Sequence, residues 1–176
     1  MSILILKPVI TEDEKNIFIE EIQKAFQLSF EAKYGVYEDI ILPEKDIHDA
    51  FNADGSEIYF AMIDEKIVGG TVINIDKETK RNHLDFLYVK VGGQSKGTGQ
   101  AIWKAIEALH PETEIWETYT PYFDKRNIHF YVNRLGFHIV EFFNKHHIDP
   151  QLHGGPAGGM PDESGYDFFR FEKVMK

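Results

Sequence analysis

His83-LDFLYVKVGGQSKGTGQAIWKAIEA-Leu109 is the stretch whose reading decides the fold. His83 to Val91 has the period of a strand, with Leu84, Phe86 and Tyr88 on one face and Asp85, Leu87 and Val89 on the other. Gly92 to Gly99 is a glycine-rich turn. From Gly97 to Leu109, Ala101, Ile102, Ala105, Ile106 and Leu109 form an apolar stripe at helical spacing, and Pro111 follows as a stop. A strand that enters a helix through glycines suits a phosphate. The first-turn amides of the helix have no intrahelical partner and the dipole favours negative charge there. Gly97 and Gly99 leave the backbone open to close approach.

Three glycine motifs compete for this turn. A Walker loop fails because Thr98 stands where its lysine must follow Gly97. A dinucleotide fingerprint fails because Ile102 stands where its third glycine is needed after Gly97 and Gly99. The pattern Q/R-x-x-G-x-G/A is met in full by Gln94-Ser95-Lys96-Gly97-Thr98-Gly99. An ordinary tight strand-to-helix turn accounts for the hexapeptide equally well when it stands alone.

A second run carries more information. Asp124 can cap a helix with apolar positions Ile128, Tyr131, Val132 and Leu135, closed by Gly136. It contains Phe130-Tyr131 followed by Leu135-Gly136-Phe137. Together the two runs resemble the GNAT superfamily of acyl-CoA-dependent N-acetyltransferases, which shows an F-Y-x-x-x-G-F motif one helix and one strand after its pyrophosphate loop. The segment Phe60 to Gly70 (FAMIDEKIVGG) also resembles that family's second and third strands.

Around these runs the chain reads as β-α-α-β-β-β-α-β-α-β-β. A strand at Ile3 to Lys7 precedes a capping box at Thr11 to Glu14 and a helix ending at Gly35. Pro43 opens a short helix to Phe51 as its first residue. Strands follow at Glu57 to Ile63 and Ile67 to Ile75, with Asp64-Glu65-Lys66 as their turn, and later at Glu114 to Tyr119, Phe137 to Phe143 and Tyr166 to Met175. The resemblance implies one α/β (α+β by some schemes) domain over residues 1–176. Its sheet is mixed and mostly antiparallel, with about seven strands flanked by about four helices, and its fourth and fifth strands splay around the cofactor.

Composition narrows the rest. A net charge of −10 argues against non-specific nucleic-acid binding and suits a cationic substrate. The sequence has no apolar run long enough for a membrane span and no signal-peptide pattern. It has no cysteine, which is compatible with a cytoplasmic protein and excludes thiolate chemistry. His146, His147 and His153 lack matching carboxylate spacing, so no metal is expected.

The resemblance further implies acetyl-CoA as co-substrate and a small-molecule or peptide amine as acceptor, and it admits a homodimer. Tyr131 becomes the general acid toward the departing sulfur, since a phenol keeps its proton at neutral pH; its plain alternative is a core aromatic. Val89 and Val91 present backbone to the pantetheine, and the Val89 amide polarises the carbonyl. Gln94, Ser95, Lys96, Gly97, Thr98 and Gly99 cradle the pyrophosphate. Asp124 departs from the family's asparagine, and Asn127 is the candidate to replace that contact. Asp85 is the first candidate base, because burial in the sheet would raise its pKa; Glu117 is the reserve. The acceptor side is assigned to the first two helices, where Glu31, Tyr34, Tyr37, Glu38 and Asp39 combine acidic and aromatic groups, and to a glycine-rich loop over residues 144–165. Two other classes fit the same sequence: an acyl-CoA sensor that transfers nothing, and an interaction module using the aromatic patch Trp116 to Phe123.

Overall fold

The computed structural model describes residues 3–92, 97–150 and 167–175. Its elements are β1 (Leu4–Pro8), α1 (Glu12–Tyr34), α2 (Glu44–Asn52), β2 (Ser56–Ile63), β3 (Lys66–Asn74), β4 (Arg81–Val89), α3 (Thr98–Leu109), β5 (Ile115–Pro121), α4 (Lys125–His129) running into a π turn (Phe130–Arg134), β6 (His138–Phe143) and β7 (Phe168–Val174). The strands form one sheet in the order β1-β2-β3-β4-β5-β7-β6. Only the β4–β5 pair is parallel. This is the mixed, mostly antiparallel architecture that the resemblance implies.

Local chemistry sets the element ends. The Glu14 amide donates to Thr11 Oγ1 at 3.1 Å while the Thr11 amide donates to Glu14 Oε1 at 3.0 Å, so the capping box that starts α1 is complete. Gly35 ends that helix at φ +85°. Pro43 is the extended residue before α2 rather than its first residue, and the helix begins at Glu44. Asp64 and Glu65, both at positive φ, make the two-residue β2–β3 turn. At Gly70 a Cβ would come within 2.6 Å of both the Phe18 and Tyr88 rings, so here glycine is required by close packing of α1 on the sheet.

Each face of the sheet carries its own core. Phe18, Ile19 and Ile22 of α1 and Ile47 and Phe51 of α2 pack with Phe60, Val72 and Tyr88. Ile102, Trp103 and Ile106 of α3 pack on the other face with Ile73, Leu84, Trp116 and Phe171, joined by Tyr131, Leu135 and Phe137. Trp103 and Trp116 meet edge to face at 5.2 Å. Burial of these aromatics on both faces holds β4 and β5 in the middle of the molecule, where their geometry can be exact.

His110, just past α3, ties that helix to β2. Its Nε2 is 2.7 Å from Glu57 and its Nδ1 is 2.9 Å from Glu112. Burial pulls the imidazole pKa down, but the hydrogen bonds to Glu57 and Glu112 outweigh it and leave the value above 6.5. A raised folded-state pKa means that the stabilisation is fully present below pH 6.5 and is lost as the pH climbs through the folded value. The melting temperature of the wild type should therefore fall toward that of His110→Gln between pH 6.5 and 9. Parallel melting curves across this window would refute the coupling.

Candidate active site

Strands β4 and β5 pair only at Arg81↔Ile115, Asn82↔Trp116 and His83↔Glu117. A last tie is the 2.8 Å hydrogen bond from Thr118 Oγ1 to the Leu84 carbonyl. Beyond it the strands part around a cavity of about 950 Å³. Asp85 to Val89 wall it on the β4 side, Tyr119 to Pro121 on the β5 side, and α1, α2 and the starts of α3 and α4 close the remainder. The direction of the β4 backbone follows from its bonds to β3. Lys90 donates its amide to the Val68 carbonyl at 2.9 Å, and the Phe86 carbonyl accepts from Thr71 Oγ1 at 2.7 Å. Backbone groups of a strand alternate in direction. The N–H and C=O groups of Leu87 and Val89 therefore turn away from β3, toward the edge that β5 has left.

One expectation about β4 is corrected. The register jumps between Val72↔Phe86 and Ile73↔Leu84, which leaves Asp85 as an extra, bulged residue. The bulge resets the alternation. Leu84 now shares the α3-side core with Leu87 and Val89, whereas Phe86 and Tyr88 pack toward α1 and α2. Asp85 is on the cavity wall, and its Oδ1 lies 2.6 Å from Nδ1 of His83. The His83 ring in turn lies against Tyr119, with centroids 5.4 Å apart. His83 drew no attention in the sequence, because nothing in a period-two pattern reveals an inserted residue.

At the start of α3, Gly97 is left-handed at φ +94°, and Ala101 donates back to its carbonyl at 3.0 Å. Thr98, Gly99 and Gln100 form the first turn of α3, and all three residues line the cavity. A Cβ on Gly99 would sit 2.9 Å from the Phe130 ring. That glycine therefore also lets α3 seat against the π turn. Val91 lies in the turn just past β4, and Gln94, Ser95 and Lys96 fall outside the described residues. Lys125, Arg126, His129 and Arg134 also line the cavity. None of the four stood out in the sequence, since scattered cations on a short helix usually read as solvated surface.

Asp124 caps α4, accepting from the Asn127 amide at 3.1 Å. Burial raises its pKa, against the partial opposition of that amide, Lys33 and Arg126. Asn127 is on the wall, half-buried. The helix does not run on as a regular α-helix to Leu135, as its apolar spacing predicts. Leu135 donates its amide to the Phe130 carbonyl, five residues back, at 3.0 Å, so the second half is a π turn. Such turns recur at functional sites because they re-aim side chains. The turn holds Tyr131 on the cavity wall at 6% exposure, with its hydroxyl beside that of Thr118. Burial first and Asp124 second push the phenol pKa up, more than the Thr118 hydroxyl lowers it. The group is a proton donor at any physiological pH.

Glu117 lies elsewhere. Its carboxylate takes Arg81 at 3.1 Å and Arg170 at 3.0 Å, within a network that includes Glu141 and Glu172, and it is not among the cavity-lining residues. Tyr34 reaches the wall, but Glu31, Glu38 and Asp39 do not; Asp46, Asp85 and Asp124 supply its carboxylates. His147 is bound to Glu141 at 2.7 Å and stacks on Phe143. Among the described residues no group of three or more histidines and carboxylates could hold a metal ion, and His153 lies outside them. None of the described helices is long and apolar enough to cross a membrane.

Residues 19–137 match the model of the acetyltransferase (GNAT) family. The chain belongs to that family. It is 47% identical over 161 residues to the uncharacterized protein YrkN of Bacillus subtilis (strain 168), a match that spans 90% of this chain and 87% of that one. A Bacillus subtilis acetyltransferase solved in complex with CoA has the same fold, with a TM-score of 0.65, 20% identity and full coverage of both chains. A GNAT family acetyltransferase from Elizabethkingia anophelis with acetyl-CoA bound superposes with a TM-score of 0.59 at 15% identity, over 75% of this chain and 83% of that one.

The left-handed backbone at Gly97 makes a direct prediction. Among the described residues nothing lies within 4 Å of a Cβ built there, so Gly97→Ala should lose about 1–2 kcal/mol through backbone strain. Gly97→Asn should lose less. Urea denaturation of the three proteins checks the order, and an alanine variant as stable as the parent would show that the left-handed turn is not held.

Proposed function

We propose that this chain, acting as one domain over residues 1–176, transfers the acetyl group of acetyl-CoA to a primary amine by direct attack. The observation that carries this reading is the fork itself. It brings the outward backbone of Val89, the Tyr131 phenol and the α3 N-terminus onto one cavity. The α3 amides and the loop Gln94 to Gly99 hold the pyrophosphate, with Lys125, Arg126, His129 and Arg134 adding positive charge. Val89 and Val91 give backbone contacts to the pantetheine, and Asn127 and Asp124 lie beside it.

In the reaction the ammonium gives a proton to Asp85, which His83 positions. Four residues of strand separate Asp85 from Val89, roughly 10–13 Å at ~3.3 Å per residue, so this proton passes through water. The freed nitrogen lone pair attacks the thioester carbon, and the Val89 N–H stabilises the oxyanion. When the C–S bond breaks, the thiolate takes the Tyr131 proton, and the second proton released by the nitrogen as it becomes the neutral amide passes through water to restore the phenol. Glu117, held between two arginines, is a weaker candidate for base than Asp85.

Acetyl-CoA should raise the melting temperature, because a ligand that binds only the native state stabilises it by mass action. Gly97→Asp should abolish the rise by setting a carboxylate against the pyrophosphate. Tyr131→Phe should keep that rise and lose about 10²-fold in kcat. If Gly97→Asp binds as tightly as the parent, the loop assignment fails. If the parent binds acetyl-CoA but releases no thiol with any amine, the chain is an acyl-CoA sensor rather than a transferase.

A further inference from the structure

The acceptor half of the cavity differs sharply from the half assigned to acetyl-CoA. Phe26, Phe30, Phe86, Tyr119, Phe123 and Phe168 line it. Several of these rings touch one another: Phe26 and Phe86 at 6.1 Å and Phe30 and Phe123 at 5.3 Å between centroids, both edge to face. Two carboxylates reach this side, Asp85 at the fork and Asp46 on α2. Lys33 is its one cation among the described lining residues, and it is engaged, donating to the Phe123 carbonyl at 3.0 Å.

Resting on the transferase reading above, we propose that the acceptor is a primary amine borne on a single apolar, ring-sized body, with its nitrogen at the thioester beside Val89, linked to Asp85 through water, and its body against the aromatic wall. Charge and hydrogen bonding both select for it. The reacting ammonium of any amine is served through water by Asp85, which His83 holds at 2.6 Å. A linear polyamine would carry further ammonium groups past Lys33 and into rings, with Asp46 and Asp124 as the remaining carboxylates of the cavity, the latter already facing Lys33 and Arg126. An aminoglycoside would bury many hydroxyls where the described uncharged polar side chains are only Ser29, Thr120 and the phenols of Tyr34, Tyr88 and Tyr119, of which Tyr88 already donates to Glu21. A buried hydroxyl without a partner is costly, so such a body is rejected rather than merely bound less well. An aromatic body instead meets rings set at the distances that favour edge contacts.

The test measures thiol release from acetyl-CoA with 2-phenylethylamine, spermidine, kanamycin and a short peptide with a leucine amino terminus, beside the melting shift given by acetyl-CoA alone. Phenylethylamine should have the highest kcat/KM, by about 10²-fold over spermidine and kanamycin. Phe26→Ala should raise KM for phenylethylamine by roughly 10-fold, with the acetyl-CoA shift intact. The comparison of amines on the wild type decides the matter even if that variant folds poorly. Spermidine, kanamycin or the peptide used as efficiently as phenylethylamine would overturn the acceptor proposal alone. No release with any amine, with the acetyl-CoA shift intact, would overturn the transferase reading together with it. No shift at all would remove the cofactor assignment on which both rest.

Discussion

Everything in the site depends on two parallel strands that pair for three residues and then part. Unpaired backbone groups in a protein interior are costly, so a sheet opens in its middle only where something else will meet those groups. The opening is fixed from below by Thr118, which reaches across the fork to the Leu84 carbonyl. From the sides it is fixed by two cores that trap β4 between α1 and α3. Neither core could be removed without letting β4 swing back onto β5 and close the edge.

Two inserted residues shape the walls of this opening, one on each side. The bulge at Asp85 turns β4 so that a carboxylate and a histidine meet on the side facing α1 and α2. The π turn after α4 adds a residue to a helical turn and holds Tyr131 inward against Phe137 and Phe171. Both departures cost regular hydrogen bonding. Both occur next to the cavity, and the β5–β7 ladder beside them runs through seven pairs without a register shift.

The sequence makes the architecture legible to within a residue or two, because capping boxes, positive-φ turn residues and apolar periodicity act locally. Thr11, Gly35 and Gly136 are such signals, and each does in the structure what its chemistry requires. The site is legible only where a residue type is demanded by the backbone, as at Gly97. What stays hidden depends on register. The alternation assigned to Asp85, Leu87 and Val89 fails because a bulge has no signature in a single strand, and the same failure hides His83. Glu117 looks like a free base until its cross-strand partners Arg81 and Arg170 are known, and these come from β4 and β7, 36 and 53 residues away.

The charge layout ties these features together. A chain of net charge −10 nevertheless lines this cavity with Lys33, Lys125, Arg126 and Arg134 as well as Asp46, Asp85 and Asp124. Charges of both signs on one wall let it attract groups of either sign. Between them the walls are aromatic, with low polarity that strengthens every electrostatic term inside. The buried, protonated Tyr131 phenol stands on that same wall, so a ligand that reaches it meets aromatic surface and charges of both signs at once.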